Sequence, residues 1–252
     1  MKAKMYSFLR DAQSHFPFLR PLKFNTYNLG TRLFGMRIDD EFRLLSRMKV
    51  GLALDIGANW GQSVWALKHV AKPQRIVCFE PNSGLFGRLD RTFRDDATVQ
   101  VENCALSDQP GSFDLYIPRY RNYVYDGLAS LSYDEARLWL NSDRVADFKP
   151  HLLHVEQEKV AVRTLDPYGF DPDVVKIDVQ GAELLVVKGG IETFRRNQPL
   201  MIVEAPSTEL VELLAGMGMK AYHFDGKTLS ADWAKSKNTV FLSDARRQEI
   251  GF

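Results

Sequence analysis

The sequence has few cysteines and no long apolar run. Its two cysteines, Cys78 and Cys104, both lie in apolar stretches typical of strands. Two thiols do not make a disulfide framework, so we expect both to be buried and free. No apolar run approaches the roughly 20 residues of a membrane-spanning helix, and the N-terminal segment lacks the apolar centre of a signal peptide. These absences favour a cytoplasmic protein without a transmembrane segment.

The chain also lacks an excess of charge of either sign. Its 33 Lys and Arg against 32 Asp and Glu give a net charge of +1, which offers no support for a nucleic-acid partner. Residues 1–49 are more basic than the remainder, and residues 1–20 intersperse bases with Phe8, Leu9 and Phe16. Such a segment is typical of a helix packed on its own domain, which we favour. Contact with a membrane surface or a glycolipid through residues 1–20 stays open.

From residue 50 onward, predicted strands alternate with predicted helices. Most strands are short runs of aliphatic residues: 50–56, 75–80, 98–104, 173–179 and 200–205. This alternation predicts an α/β fold with a mostly parallel sheet. Segments 219–224 and 238–243 are separated by a polar loop without a helix, so we expect them to pair antiparallel. We predict a basic helical extension over residues 1–49 and a domain over 50–252, with an irregular insertion at 118–154.

The segment from Leu52 to Gly61 predicts a buried strand, a tight turn and the start of a helix. Gly57 and Gly61 provide the turn, and Asp55 lies at the end of the strand. A dinucleotide would require glycine where Asn59 stands, and the carboxylate of Asp55 would repel a pyrophosphate. The loop therefore favours a cationic cofactor that carries an amine and no phosphate, as S-adenosylmethionine does.

Acidic residues end four of the predicted strands, and an asparagine ends a fifth: Asp55, Glu80, Asp178, Glu204 and Asn103. Any one of these acids could simply cap a helix. Together they indicate a polar rim that binds a ligand, since unpaired carboxylates are costly to bury. Glu80 follows Gly57 by 23 residues, close to the spacing at which an acid binds the hydroxyls of a ribose.

Five motifs resemble those of the FkbM-type S-adenosylmethionine-dependent methyltransferases, in the same order and across residues 50–243. They are Asp-Ile-Gly-Ala-Asn-Trp-Gly at 55–61, Phe-Glu-Pro at 79–81, Asn-Cys-Ala-Leu-Ser-Asp at 103–108, Thr-Leu-Asp at 164–166 and Lys-Ile-Asp-Val-Gln-Gly-Ala-Glu at 176–183. The resemblance implies the class I, Rossmann-like methyltransferase fold, with a seven-stranded, mostly parallel sheet, an antiparallel last strand and flanking helices. One departure is Gln180, where the family commonly has glutamate.

The resemblance also implies which residues bind S-adenosylmethionine. Asp55 and the following loop would hold the methionine end, Glu80 the ribose, and residues 103–106 the adenine. The full set of predicted cofactor-binding residues is Asp55, Gly57, Ala58, Asn59, Gly61, Glu80, Pro81, Asn82, Asn103, Ala105, Leu106 and Asp178. Asp178 would lie near the transferred methyl group.

Methyl transfer to a hydroxyl requires a group that accepts its proton. Asp178 is a candidate by position, and His154 is a candidate if the insertion folds over the site, although a lone histidine is more often structural. Glu183 could act in catalysis or orient the substrate, although the helix dipole alone would favour an acid there. Because Asp178 and Glu204 are expected to end adjacent strands, they could also share a Mg²⁺ ion.

The resemblance implies O-methylation of a hydroxyl on a small molecule or saccharide, and we favour a sugar of a glycan. The insertion contains Tyr120, Tyr123, Tyr125 and Trp139, which could stack on a sugar ring or pack together. A polyketide-type acceptor and a scaffold that binds the cofactor without turnover remain alternatives. A nucleic-acid or protein substrate also stays open, although no dense basic stripe supports a nucleobase target. A homo-oligomer stays open too.

Overall fold

A computed structural model describes residues 2–252, with side chains for residues 6–234 and 236–252. Twelve strands occur in this part of the chain: β1 (Leu52–Ile56), β2 (Arg75–Phe79), β3 (Val99–Glu102), β4 (Ala105–Leu106), β5 (Gly111–Tyr120), β6 (Tyr123–Val124), β7 (Leu153–Arg163), β8 (Val174–Ile177), β9 (Leu200–Glu204), β10 (Lys220–Phe224), β11 (Leu229–Ser230) and β12 (Asn238–Leu242).

Helices precede, separate and follow these strands, as the predicted alternation of strands and helices requires. Those described are α1 (Lys2–His15), α2 (Leu19–Phe34), α3 (Gln62–Val70), α4 (Ser83–Phe93), α5 (Tyr133–Leu138), α6 (Glu183–Lys188), α7 (Ile191–Asn197), α8 (Thr208–Ala215) and α9 (Asp244–Glu249), with 3₁₀ helices at Asp40–Arg47, Asp126–Leu128, Pro150–Leu152, Asp166–Tyr168 and Trp233–Lys235. Side-chain caps define where two of these helices begin. At α4 the side chain of Asn82 accepts the amide of Leu85, and at α8 the side chain of Ser207 accepts the amide of Leu210.

The large sheet has the strand order β11-β10-β12-β9-β8-β1-β2-β3. Neighbouring pairs from β9 to β3 are parallel, whereas β12 is antiparallel to both β9 and β10. The predicted antiparallel last strand is therefore confirmed, whereas the sheet has eight strands rather than the predicted seven. Since the central strands are parallel, their carboxyl ends meet at one edge of the sheet, where ligands bind in open α/β folds.

The structure adds an eighth strand to the seven that the sequence predicts. This two-residue strand, β11, lies in the polar loop after β10 and pairs back on it antiparallel. The carboxylate of Asp225 accepts the backbone amides of Lys227 and Thr228, and Gly226 has a φ of 91°. A tight turn of this kind returns the chain at once to the strand it has just left.

The central strands are buried on both faces. Alternate residues contribute to two apolar clusters, with Ala53 and Ile76 in one and Leu54 and Val77 in the other. Burial on both faces explains why these strands appear in the sequence as continuous apolar runs. Cys78 and Cys104 are buried and free, as predicted.

The chain divides into two compact units. One comprises the chain up to Thr26 together with Ser112–Val160, and the other comprises Tyr27–Gly111 and Ala161–Phe252. The first unit therefore groups the start of the chain with the insertion; the sequence-based boundary near residue 49 stays a prediction. Among the described residues, no helix is both long and apolar enough to cross a membrane.

Close packing at Gly189, between α6 and α7, provides a test of the second unit. A Cβ added there would lie 1.9 Å from the carbonyl oxygen of Ser107, so Gly189→Ala should force the backbone apart. We expect the free energy of unfolding to fall by about 2–3 kcal/mol in urea denaturation. Gly111→Ala is the matched control, since its Cβ would meet no atom within 4 Å. Equal stability of the two variants would contradict the packing described here.

Candidate functional site

The turn after β1 lies against the segment that follows β8. Gly57 has a φ of 84°, and a Cβ there would lie 1.9 Å from the carbonyl oxygen of Asp178. The amides of Gly57 and Ala58 both donate to the carbonyl oxygen of Phe79, at 3.0 and 3.2 Å. Only glycine satisfies both the dihedral angle and the close approach. The turn is thus held between the ends of β2 and β8.

Glu80 is bound to the same turn. Its carboxylate accepts the amide of Asn59 at 2.8 Å and the amide of Asn82 at 3.0 Å, and its side chain is almost fully buried. The side-chain amide of Asn103 donates to the carbonyl oxygens of Glu80 and Pro81, at 2.9 and 3.1 Å. Glu80, which is predicted to hold the ribose, therefore lies against the loop that is predicted to hold the methionine end.

The remaining predicted cofactor residues have structural contacts of their own. Gly61 has a φ of 80° at the start of α3, and a Cβ there would lie 3.0 Å from the side chain of Leu89. Ala105 and Leu106 form β4, which pairs with the end of β7, and the side chain of Leu106 is part of the apolar core. Their contact with a cofactor stays a prediction.

Asp55 is fully buried rather than exposed at the rim. Its Oδ2 accepts a hydrogen bond from the hydroxyl of Ser63 at 2.5 Å. Burial raises the pKa of Asp55, and the charge of Lys176 and the Ser63 hydrogen bond offset this only in part. Oδ1 has no hydrogen-bond partner among the described residues. A cationic amine is the kind of group that would satisfy such an atom.

Lys176 joins these elements, and the sequence-based analysis did not identify it as a site residue. Its Nζ donates to the carbonyl oxygen of Gly57 at 3.1 Å, and it lies 3.4 Å from Asp178 and 3.7 Å from Asp55. Burial would lower the pKa of Lys176, but the two carboxylates raise it. A signal for it was available: a lysine within the apolar strand β8 must be paired if it is buried.

Asp178 and Glu204 lie at the ends of adjacent strands, close enough for each to shift the pKa of the other. Burial and the neighbouring Asp178 raise the pKa of Glu204. Burial also acts to raise the pKa of Asp178. The charge of Lys176 and the hydrogen bonds that Asp178 accepts outweigh this effect, so the pKa of Asp178 is lowered. The side-chain amide of Gln180 donates to Asp178 at 2.9 Å, and Nζ of Lys237 lies 2.9 Å from Glu204. Asp178 is therefore the more acidic of the two carboxyl groups.

The sequence predicts that Asp178 and Glu204 could share Mg²⁺, and the structure gives no support for this. In the part of the chain that it describes, no group of three or more histidine, cysteine or acidic side chains is arranged to hold a metal ion. Lys176 and Lys237 lie beside the two carboxyl groups and compensate their charge.

Two further candidates for catalysis lie in different surroundings. The carboxylate of Glu183 accepts the amides of Val179 and Gly181, at 3.1 to 3.2 Å, so it holds the turn after β8. Its direct part in a reaction stays a prediction. His154 is an exposed residue near the start of β7, in the unit that contains the insertion. Its catalytic role also stays a prediction.

Comparison with protein families and curated proteins agrees with this geometry. The model of the methyltransferase FkbM domain matches residues 55–217. The chain belongs to the FkbM methyltransferase family. Its large sheet, in which β12 is antiparallel to both neighbours, has the class I methyltransferase fold, and the matched residues include those described above from Asp55 to Glu204.

A curated relative of this FkbM-family chain is the 2-O-methyltransferase NoeI of Sinorhizobium fredii. The two are 26% identical over 170 residues, which cover 63% of this chain and 65% of the relative. The chain therefore spans somewhat less than two thirds of the length of that protein.

Solved structures show more distant similarity. Methyltransferase FkbM from Methylobacillus flagellatus has 17% identity and a TM-score of 0.48, over 86% of this chain and 47% of that one. Aeropyrum pernix fibrillarin in complex with S-adenosyl-L-methionine has 14% identity and a TM-score of 0.39, over 87% and 76% of the two chains. Likenesses this distant carry no inference about function.

The aromatic residues of the insertion pack together within their unit. Tyr120 is fully buried, stacks on Phe148 and accepts the amide of Lys149, while Tyr123 contacts Tyr125 at a ring distance of 4.7 Å. Tyr120 is therefore a core residue of the insertion, and the structure favours packing over sugar stacking for these tyrosines.

The buried ammonium of Lys176 should be essential to the stability of this FkbM-family protein. Lys176→Met leaves buried Asp55 without its cation, and we expect the free energy of unfolding to fall by about 3–5 kcal/mol at neutral pH. Because the pKa of Asp55 is raised in the folded state, the folded form takes up its proton first as the pH falls. The loss should therefore be smaller at about pH 5 than at about pH 8 in chemical denaturation.

Lys188→Met is the matched control for this prediction. Lys188 pairs with Glu209 at 3.0 Å, but both side chains are exposed. Its loss should change stability by at most about 0.5 kcal/mol at either pH. If Lys176→Met were as stable as Lys188→Met, the buried network would not have the importance assigned to it.

Proposed function

We propose that this chain is an S-adenosylmethionine-dependent O-methyltransferase that acts on a hydroxyl of a saccharide. The observation that carries the proposal is the pair of carboxyl groups of Asp178 and Glu204 beside the Gly57 turn. Asp178, the more acidic of the two, is the candidate proton acceptor at the edge of the sheet where ligands bind. The family resemblance supports methyl transfer.

The residues at this edge fit S-adenosylmethionine. The ligand has an amine, a sulfonium and a ribose diol, and the edge offers the carboxylate of Glu80 to the diol, whereas Asp55 is fully buried beside Lys176. The two oxygens of Glu80 each accept one backbone amide and retain lone pairs for the two hydroxyls. When bound, the cofactor would supply an electrophilic methyl group.

The role of the protein in the reaction would be to position the acceptor and to receive its proton. The ammonium of Lys176 lies 3.4 Å from Asp178 and the amide of Gln180 donates to it, so both orient its carboxylate. A hydroxyl that donates to Asp178 would be held beside the Gly57 turn, where in-line displacement would require its oxygen to face the methyl group. The hydroxyl proton would pass to Asp178 as the oxygen bonds the methyl carbon and the bond from that carbon to sulfur breaks.

An oxygen acceptor is supported by the relative named 2-O-methyltransferase NoeI. We propose a saccharide because Asp178, Gln180 and Glu204 together offer acceptors and a donor to neighbouring hydroxyls. A polyketide-type acceptor would present fewer hydroxyls to these groups. A scaffold that binds the cofactor without turnover remains the alternative that is not an enzyme. The assays below distinguish a saccharide methyltransferase, a polyketide methyltransferase and a scaffold.

Calorimetric titration of S-adenosylmethionine tests the cofactor part of the proposal. Glu80→Gln should weaken binding by about 10- to 100-fold, since one oxygen that accepts ribose hydroxyls is replaced by a donor. Glu209→Gln is the control, because Glu209 is exposed on α8 and pairs only with Lys188 among its described contacts. It should bind as the wild type does. The cofactor assignment fails if wild-type protein shows no binding or if Glu80→Gln binds unchanged.

Turnover with labelled S-adenosylmethionine tests the acid pair. A panel of sugars, glycolipids and polyketides, with and without EDTA, should give labelled product from saccharides. We expect Asp178→Asn to lower kcat by about 10²- to 10⁴-fold, with cofactor binding changed far less than in Glu80→Gln. Cofactor binding without product from any acceptor would favour the scaffold. Labelled product from polyketides alone would refute the proposal of a saccharide acceptor. Loss of activity in EDTA would show that the reaction needs a metal ion.

A further inference from the structure

The first 26 residues carry an apolar surface that their own unit does not cover. Of fifteen large apolar side chains exposed in the described part of the chain, seven lie within residues 6–22. Phe18 is 71% exposed, Phe8 67% and Leu22 59%. We call the exposed side chains of Phe8, Leu9, Phe16, Phe18, Leu19 and Leu22 the N-terminal apolar surface. Such a concentration on a monomer marks an interaction site.

The turn between α1 and α2 presents two aromatic rings together. Phe16 and Phe18 flank Pro17, and their rings meet edge to face at 6.1 Å. The backbone of this turn is closed by hydrogen bonds, from Phe16 to Gln13 and from Leu19 to Phe16. The aromatic pair is therefore held in place by the fold and would not need to be ordered on binding.

The charge of this segment identifies the kind of partner. Residues 1–26 contain five Lys and Arg against one acid, Asp11, and one of the five, Arg20, is largely buried in an ion pair with Asp126. Asp11 lies 3.8 Å from the guanidinium of Arg121, so its charge is compensated within the unit. A positive segment with exposed phenylalanines and leucines fits a negatively charged surface with an apolar interior. Two copies of the chain would instead bring like charges together, which disfavours a second copy as the partner.

We propose that the N-terminal apolar surface binds the surface of a bilayer that contains anionic lipids, with Phe16, Phe18 and Leu22 inserted at the level of the headgroups. The partly exposed Arg10 and Lys23 would lie among the headgroups and the apolar side chains below them. Binding of this kind needs neither cofactor nor acceptor, so the proposal is independent of the proposed function. It would place the enzyme where lipid-linked acceptors are found.

Sedimentation with vesicles tests the proposal on the full chain. We expect partitioning onto phosphatidylcholine vesicles that contain about 30 mol% phosphatidylglycerol, and much weaker partitioning onto phosphatidylcholine alone. Raising the salt from about 0.05 to 0.5 M should weaken binding, since ions screen the lysines and arginines. The double variant Phe18→Glu/Leu22→Glu should lower partitioning by about tenfold or more. Both residues are exposed, so its melting temperature should stay close to that of the wild type.

Leu138→Glu is the matched control. Leu138 lies on α5 in the same unit and is 65% exposed, but it is outside the N-terminal apolar surface. This variant should bind vesicles as the wild type does. The proposal is overturned if wild-type protein does not bind the anionic vesicles, or if Phe18→Glu/Leu22→Glu binds them unchanged. A concentration-dependent dimer that the double variant abolishes would instead assign the surface to a second copy.

Discussion

One buried ammonium group supports the candidate site. Nζ of Lys176 lies between the carboxylates of Asp55 and Asp178 and donates to the carbonyl oxygen of Gly57. Without it, two acids would face each other in a region from which water is largely excluded, at a cost of several kcal/mol. The strand β8 carries this lysine under the turn that follows β1. The ammonium therefore fixes the two segments that approach each other most closely at the edge of the sheet.

This interaction also separates the acids at the strand ends by pKa. Lys176 helps to lower the pKa of Asp178, whereas burial and the proximity of Asp178 raise that of Glu204. The two carboxyl groups therefore differ in acidity, although both end neighbouring strands. Acids in similar positions along the chain thus acquire different chemistry from the charges beside them. Gln180 belongs to the same arrangement, since its amide donates to Asp178 and a glutamate would not.

Much of the fold could be predicted because its determinants are local. The apolar runs of the central strands and the glycines of the first turn specify each element from its own residues. Lys176 was missed because two of its three partners, Gly57 and Asp55, are distant in sequence: it lies 119 residues from Gly57. The short strand β11 was missed for the opposite reason, since two residues are too few to show a period. The aromatic residues of the insertion could stack or pack, and only their burial favoured packing.

The sequence by itself determined the order of strands and helices, the family and the set of acids at the strand ends. These follow from patterns of neighbouring residues and from motifs that keep their order. Tertiary structure decided which acid faces which cation. It buried Asp55, placed Asp178 beside Glu204 and directed the carboxylate of Glu183 to backbone amides. The physical reason is that the pKa of an acid depends on its burial and on charges within a few ångströms. Those charges come from different strands, which only the folded sheet brings together.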